Sequence, residues 1–364
     1  MLSYNRLRNF DFALLFIVLI IFAIGLTFLY SATYHHAYKY SGSLPQSFLL
    51  RQIVWFMLAL LIGVVVLKVE YQKWLELAYP LYAINFILLL FVLVSGATRL
   101  GAQRWITFGG IAFQPSEFSK LVIILTLARY LGQKENVSAK DLIASFLIIG
   151  LPFLLIVKQP DLGTALILVP ILFGVLYGWG ARLRTLILIF LGFGLTTPFL
   201  WQLLKDYQKR RILVFINPNM DPLGAGYTVI QSKIAIGSGG LLGKGWLAGT
   251  QNQLNFLPER HTDFIFSVVG EEWGFLGATL LLALYFALIW RAFSCIQQTL
   301  NSSGRLLVYG IIALLSFQVV INIAMTMGLL PVVGLPLPLI SYGGSSLVST
   351  MVAVALVLNV GMRR

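Results

Sequence analysis

The sequence contains a single cysteine, Cys295, and only three histidines. One cysteine excludes a disulfide bond within the chain. The histidines, His35, His36 and His261, are too few to build a His/Cys zinc cluster. Cross-linked scaffolds and zinc-binding modules of this type are therefore excluded.

Charged residues are also scarce, at 11% of the 364-residue chain. Soluble domains contain about 25% charged residues, so the difference is large. Hydrophobic residues make up 59% of the sequence, and its mean hydropathy is +0.87. This composition predicts a protein whose solvent is the lipid bilayer rather than water.

Acidic residues are half as frequent as basic ones, because the chain has 13 Asp and Glu against 26 Lys and Arg. In a soluble protein the resulting net charge of +13 would suggest nucleic acid as a partner. In a membrane protein, anionic head groups and phosphate-bearing lipids explain the excess more simply. We therefore expect lipid partners and no nucleic acid.

Long apolar runs are what the sequence has in abundance. A transmembrane helix needs about 20 mostly apolar residues, and helices satisfy their own backbone hydrogen bonds inside lipid. The first run is too long for the core of a signal peptide and is predicted to remain as a span. The sequence thus predicts an all-α transmembrane bundle, one domain over residues 1–364, with about ten spans at 11–31, 50–68, 76–95, 114–132, 141–158, 161–179, 184–203, 264–290, 305–328 and 340–361.

Lys and Arg residues near the ends of these spans predict the orientation. Apart from the long segment 204–263, they are more frequent on the side that carries the N-terminus. The positive-inside rule therefore places both termini in the cytoplasm and this segment outside it. It lies between the seventh and eighth spans and is the one large region that is not predicted to cross the bilayer.

Segment 204–263 begins with a basic cluster that includes Arg210. Residues 227–236 predict a short amphipathic helix, which we expect to lie in the membrane interface. The glycine-rich stretch 237–245 follows and contains Lys244. Its glycines lack Walker spacing and follow no predicted strand, so they indicate either a flexible loop or backbone amides that bind a pyrophosphate with the help of Lys244.

The segment ends in five consecutive polar residues, 259–263, with Asp263 directly before the eighth span. An aspartate in this position often serves only as a helix cap or as a partner of the helix dipole. The concentration of ionisable and hydroxyl groups, including His261, in an otherwise apolar chain equally favours a functional site. Both interpretations of Asp263 are open from these residues alone.

A second polar cluster is predicted on the same side of the membrane, around Arg104 and residues 114–120. Pro115 fits the first turn of a helix, and Glu117 fits the position where a carboxylate satisfies free backbone donors. Glu117 and Lys120 are also three residues apart, so they can pair on one helix face.

Further charges lie at or within the predicted spans. Lys158 and Asp161 are predicted to form a charged pair on the outer side, and Glu271 lies roughly 12 Å from Asp263 along the eighth span. Carboxylates such as Glu271 and Glu272 at this depth are costly, so they either form structural ion pairs or face a wet cavity. Together the charged clusters predict a polar cavity that opens outward.

Nine short motifs follow one another along the chain: Gly101-Ala-Gln-Arg-Trp105, Gln114-Pro-Ser-Glu117, Gln159-Pro-Asp-Leu-Gly-Thr164, Asp221-Pro-Leu-Gly-Ala-Gly-Tyr227, Gln231-Ser-Lys-Ile-Ala-Ile-Gly-Ser-Gly-Gly240, Gly243-Lys-Gly-Trp246, Gly249-Thr-Gln251, Leu257-Pro-Glu-Arg-His-Thr-Asp-Phe-Ile-Phe266 and Pro336-Leu-Pro-Leu-Ile-Ser-Tyr-Gly-Gly344. Together and in this order, they resemble the motifs of the SEDS family of cell-wall polymerases. They are more similar to its elongation branch, the RodA type, than to the FtsW type of cell division.

This resemblance implies a peptidoglycan glycosyltransferase that polymerises lipid II outside the cytoplasmic membrane, for cell elongation and rod shape. The 4-hydroxyl of one GlcNAc attacks the anomeric carbon of MurNAc on another chain with inversion, and undecaprenyl pyrophosphate leaves. The aspartate that the family requires corresponds to Asp263, which is assigned as the general base. The residues assigned to the cavity or to diphosphate contact are Glu117, Lys120, Arg104, Lys244, Arg210 and His261.

The resemblance also implies partners, namely a class B penicillin-binding protein that crosslinks the new glycan and other membrane proteins of the elongation complex. A divalent cation, Mg²⁺ or Mn²⁺, would assist a leaving pyrophosphate, although no ligand set is legible in the sequence. Two other functions stay open, a lipid II flippase and a non-catalytic scaffold for the penicillin-binding protein. A long basic segment on one face favours chemistry on one side over transport.

Overall fold

The protein is described by a computed structural model over residues 9–36, 46–99, 102–108, 111–203, 206–217, 220–221 and 224–363. It is mostly helical, and each of the ten predicted spans coincides with a helix. The helices are α1 (Phe12–His36), α2 (Gln46–Lys68), α3 (Tyr71–Glu76), α4 (Ala78–Ser95), α5 (Pro115–Leu131), α6 (Ala139–Lys158), α7 (Leu162–Trp179), α8 (Leu183–Leu203), α9 (Asp206–Ile216), α10 (Ala225–Ser238), α11 (Thr250–Gln253), α12 (Ile265–Gln297), α13 (Ser302–Thr326) and α14 (Gly344–Met362).

Within the described ranges, eight helices are long and apolar enough to cross a membrane: α1, α2, α4, α6, α7, α12, α13 and α14. The other two predicted spans differ in length or composition. Helix α5 has 17 residues and carries Glu117, Lys120 and Arg129. Helix α8 contributes a shorter apolar stretch, Leu183–Gly192. The polytopic bundle is confirmed, and the polar character of α5 reflects its place beside the site.

The last two helices occupy the interior of the bundle. Of the apolar spans in α13 and α14, 67% and 89% of the residues are buried, against 22% in α4 and in α6. Helix α13 packs against α5, α7 and α12, and α14 packs against α2. Small residues allow this close approach, since a Cβ on Gly174 of α7 would come within 2.5 Å of Ala313 in α13.

A small antiparallel sheet, which the sequence analysis did not predict, connects α4 to α5. Its strands are β1 (Ala97–Arg99), β2 (Ala102–Phe108) and β3 (Ile111–Phe113), in that spatial order. Trp105 of β2 pairs with Ala97, and Ile106 pairs with Phe113. The sheet matters here because β2 carries Arg104 and Trp105 to the cavity described below.

An ion pair and a hydrogen bond show that the described chain begins and ends at the same end of the bundle. Asp11, before α1, pairs with Arg291 near the end of α12, at 2.8 Å. Arg363, after α14, donates to the carbonyl oxygen of Val69 at the end of α2, at 3.0 Å. Asp263 precedes α12 and therefore lies at the opposite end.

The helix predicted at 227–236 is present as α10, which packs in parallel against the first half of α12. The hydroxyl oxygens of Ser232 and Ser267 are 2.7 Å apart, and Ile236 contacts Gly270. Helix α10 therefore runs alongside the first half of α12, in the same direction, and does not lie across the beginning of α12. Near the level where α10 stops, α12 is interrupted at Gly274, whose backbone has φ 62° and ψ −159°.

Candidate functional site

An open cavity of about 880 Å³ lies at the end of the bundle that carries Asp263. One wall is apolar and comes from α2, through Leu50, Val54 and Leu58. The rest is largely polar and is supplied by Arg51 of α2, by β2, by the first turns of α5, α7 and α14, by helix α9, and by the irregular chain before α12 and after α13. The cavity thus has an apolar wall formed by a spanning helix, α2, and charged residues at the end of the bundle.

Asp263 is held in this cavity by its backbone rather than by its side chain. Asn322 Nδ2 in α13 donates to the carbonyl oxygen of Asp263 at 3.0 Å and to that of Leu335 at 2.6 Å. The hydroxyl of Ser341 donates to Thr262 O at 2.6 Å, and the backbone amide of Tyr342 donates to His261 O at 2.9 Å. Three consecutive residues, 261–263, are thereby fixed.

The irregular run 331–343 makes this support possible. Its prolines prevent a continuous helix, and the structure shows no regular helix between Thr326 and Gly344. Val333, Gly334 and Pro336 line the cavity, which is where irregular backbone within a membrane bundle is tolerated. A Cβ on Gly334 would lie 3.4 Å from Asp263 Oδ2, so the carboxylate rests directly on this backbone.

The carboxylate of Asp263 does not cap α12. The N-cap residue is Phe264, and within the described ranges no residue donates a hydrogen bond to the Asp263 carboxylate. Burial, with a smaller contribution from the nearby negative charge of Glu259, raises the pKa of Asp263 to about 6, although Arg211 and Arg104 oppose this rise. A carboxylate without hydrogen-bond donors and with such a pKa is suited to accept a proton.

Arg104 and Asp161 also line the cavity. Arg104 donates to the carbonyl oxygens of Gln159, at 3.3 Å, and Pro160, and its Nη1 lies 3.6 Å from Asp161 Oδ1. Asp161 therefore pairs with Arg104, and the pairing with Lys158 predicted from the sequence is not present. Asp161 also accepts hydrogen bonds from the side chains of Gln114, Ser116 and Thr164.

Glu117 and Lys120 form the ion pair predicted for α5, with 2.8 Å between Lys120 Nζ and Glu117 Oε2. Pro115 occupies the first turn, as predicted. Glu117 lines the cavity, whereas Lys120 is 1% exposed and lies behind it. The pair therefore places a carboxylate in the cavity while a buried cation compensates its charge.

Three arginines converge on the cavity from different elements: Arg51 from α2, Arg104 from β2 and Arg211 from α9. Neither Arg51 nor Arg211 is among the site residues predicted from the sequence. Arg51 carried a usable signal, because a cation inside an otherwise apolar predicted span usually faces a polar partner or cavity. Arg211 had no such signal within a cluster of basic neighbours.

The predicted site residues are only partly brought together. His261 lines the cavity with Asp263, Glu117 and Arg104. Lys244 lies elsewhere, with its Nζ 2.8 Å from Glu271 Oε1. Its backbone amide donates to the carbonyl oxygen of Glu271 at 3.0 Å, so this part of the glycine-rich stretch is bound to α12.

Arg210 also lies outside this cavity. Its Nε is 3.1 Å from Asp221 Oδ2, and its side chain is 65% exposed. A divalent cation would need oxygen or nitrogen ligands in a cluster, and over the described ranges no three His, Cys, Asp or Glu side chains form one. The side chains of the cavity therefore do not by themselves fit a resident metal ion.

Residues 12–364 match the FtsW/RodA/SpoVE family, which is described as cell cycle proteins. The sequence is similar to peptidoglycan glycosyltransferase MrdB of Escherichia coli K12, with 43% identity over 319 residues that cover 86% of this chain and 85% of the relative. Stage V sporulation protein E of Bacillus subtilis is 38% identical over 357 residues, which cover 96% of each chain.

Two solved structures are similar over nearly the whole chain. One chain, described under "Structural coordination of polymerization and crosslinking by a peptidoglycan synthase complex", superposes with a TM-score of 0.82 at 38% identity and with 97% coverage of both chains. The rod shape determining protein RodA of Thermus thermophilus superposes with a TM-score of 0.73 at 34% identity, covering 98% of this chain and 97% of that one.

Proposed function

The chain belongs to the FtsW/RodA/SpoVE family, and from this membership and the geometry of the cavity we propose that it is a RodA-type peptidoglycan glycosyltransferase. It polymerises lipid II into glycan strands for cell elongation and rod shape. The observation that carries this proposal is a carboxylate, Asp263, that has no hydrogen-bond donor among the described residues and faces a cavity lined by an apolar wall and by three arginines.

The two sides of the cavity match the two parts of a lipid-linked sugar. The apolar wall of α2, with Leu50, Val54 and Leu58, suits a polyprenyl chain that enters from the bilayer. The arginines Arg51, Arg104 and Arg211 suit the diphosphate, because guanidinium groups form paired hydrogen bonds with phosphate oxygens. The saccharide then lies between the diphosphate and Asp263.

Asp263 acts as the general base in this proposal. The acceptor hydroxyl of GlcNAc transfers its proton to the carboxylate as its oxygen attacks the anomeric carbon of MurNAc. The C–O bond to the diphosphate breaks on the opposite face, so the configuration inverts, and the electron pair leaves with undecaprenyl pyrophosphate. The arginines stabilise the charge that develops on this leaving group. A pKa of about 6 leaves Asp263 mostly ionised at neutral pH.

The orientation and partners form part of the same proposal. The cavity end of the bundle faces the outside of the cytoplasmic membrane, and both termini face the cytoplasm. A class B penicillin-binding protein crosslinks the product, together with other proteins of the elongation complex. A divalent cation that arrives with the diphosphate is compatible with the carboxylates that line the cavity beside the arginines, but no step above depends on it.

Polymerisation by the purified chain tests the proposal against its alternatives. In detergent micelles there are no two compartments, so a lipid II flippase forms no glycan, whereas the polymerase does. Asp263→Ala separates the polymerase from a scaffold: we expect lost glycan synthesis with normal expression and normal binding of the penicillin-binding protein. Undiminished synthesis by Asp263→Ala would reject the assigned base.

A further inference from the structure

Two adjacent carboxylates of α12, Glu271 and Glu272, are completely buried but do not line the cavity of Asp263. Most of their partners come from the chain that leads to Asp263. Glu271 accepts hydrogen bonds from Lys244 Nζ at 2.8 Å, Thr250 Oγ1 at 3.2 Å, and the backbone amides of Gln251 at 2.9 Å and Asn252 at 3.2 Å. One carboxylate therefore holds both ends of residues 244–252.

The second carboxylate connects the same segment to α1. Glu272 Oε1 accepts hydrogen bonds from the hydroxyl of Ser31 and from Asn252 Nδ2, the latter at 3.2 Å. One residue along α1, the carbonyl oxygen of Ala32 accepts a hydrogen bond from Arg260 Nε at 2.6 Å. Residues 252 and 260 are thus attached to the same turn of α1, and Asp263 follows three residues later.

The break in α12 at Gly274 provides the space for this attachment. Phe275 N donates to Gly240 O at 2.9 Å, and Gly245 N donates to Glu272 O at 3.0 Å. A Cβ on Gly243 would lie 2.1 Å from Glu272 O, so a larger residue cannot approach α12 this closely. These backbone contacts hold the glycine-rich stretch against the interrupted helix α12. The ion pair between Lys244 and Glu271 adds a side-chain contact between the same two segments.

We propose that the Lys244–Glu271 ion pair is a positioning device for Asp263. By holding residues 244–263 against α12 and α1, it keeps the Asp263 carboxylate directed into the cavity and away from bulk water. Glu271 and Lys244 touch neither the reacting sugar nor the diphosphate. This inference rests on the proposed function, because its consequence is measured in the polymerisation reaction.

The test compares Glu271→Gln and Lys244→Met with wild type, as full-length protein in lipid nanodiscs supplied with lipid II. A displacement of about 1 Å at a reacting group costs roughly 10²-fold in rate, so we expect kcat to fall by about that factor. The arginines of the cavity are not attached to this network, so we expect KM to stay within about twofold. We expect Lys244→Arg, which keeps the charge, to retain most of the wild-type kcat.

A pH profile separates positioning from simple loss of folded protein. If residues 250–263 move, Asp263 gains water, so the fall in kcat on acidification moves to lower pH than in wild type. A smaller amount of correctly folded protein would lower the rate at every pH without moving this fall. If Glu271→Gln does not fold, Lys244→Met decides the question, because Lys244 is partly exposed.

Asp11→Asn is the matched control, because it removes the other ion pair of α12, between Asp11 and Arg291 at the opposite end. We expect kcat within about twofold of wild type and an unmoved pH profile. Wild-type kcat and pH profile in folded Glu271→Gln or Lys244→Met would overturn the inference, as would an equal loss in Asp11→Asn. Absence of glycan from wild type would instead refute the proposed function.

Discussion

The carboxylates of Glu271 and Asp263 differ in how many hydrogen bonds they accept. Glu271 is fully buried and has four hydrogen-bond donors, whereas Asp263 faces the cavity and has none among the described residues. The backbone carbonyl oxygen of Asp263, not its carboxylate, is the group that the protein binds. In our proposal, the fully paired carboxylate of Glu271 stabilises the structure, and the carboxylate of Asp263 is the one that reacts.

The largest effect on the rate of glycan formation is expected from Asp263→Asn, which changes the carboxylate that has no hydrogen-bond donor among the described residues. Asparagine has nearly the same size but cannot accept a proton, and general bases contribute about 10²- to 10⁴-fold to rates. We therefore expect the rate of glycan formation from lipid II to fall by at least about 10²-fold, with little change in thermal stability. A rate within tenfold of wild type would show that another group serves as the base.

Lys120→Met tests how much a paired carboxylate, Glu117, contributes to stability. It leaves Glu117 as an uncompensated charge beside the buried Lys120 position, and breaking a buried ion pair typically costs about 3–5 kcal/mol. Thermal unfolding in detergent should show a large decrease in stability. The double variant Glu117→Gln with Lys120→Met should recover part of it; no recovery would mean that packing, not charge, accounts for the loss.

Arg51→Ala addresses the cations that face the cavity. A hydrogen bond to a charged group contributes about 1.5–3 kcal/mol, so we expect KM for lipid II to rise by roughly 10- to 100-fold. Arg305→Ala, an exposed arginine in α13 at the opposite end, is the control with the same change in charge and should leave KM unaltered. Equal effects of both variants would indicate a general electrostatic influence rather than diphosphate binding.

The smallest effect is expected from Glu259→Gln. The negative charge of Glu259 helps to raise the pKa of Asp263, after burial. Removing this charge should lower that pKa, so that the fall in activity on acidification begins at a lower pH than in wild type. The measurement is kcat/KM against pH, which reports the free protein, and a shift to higher pH would contradict the electrostatic account of Asp263.

Much of the fold was predictable because apolar length alone specifies the spans. The small sheet was not, since β1 and β3 have three residues each and are stabilised by pairing across the sheet rather than by a periodic sequence. The interruption of α12 at Gly274 was equally unpredictable from the sequence. Its freed backbone groups find partners at Gly240 and Gly245, and a window along the sequence does not reveal such long-range contacts.

The site was predictable where a motif contains its own partner, and less so where partners are distant. Glu117 and Lys120 are three residues apart, so the pair followed from helix geometry. The partners of Glu271 are 19 to 27 residues away along the chain. Arg51 is distant from Asp263 in the sequence, and only folding brings both residues to the same cavity. A single charged residue within an apolar run does not indicate which cavity it faces.

The central claim is that Asp263 is a partly desolvated general base, and the dependence of the wild-type polymerisation rate on pH tests it most directly. Protonation removes the base, so the rate at lipid II concentrations well below KM, which reports the pKa of the free protein, should fall to half near pH 6 and continue to decline by one order of magnitude per pH unit below it. A rate that stays constant down to about pH 4, the range of an ordinary aspartate, would contradict the claim.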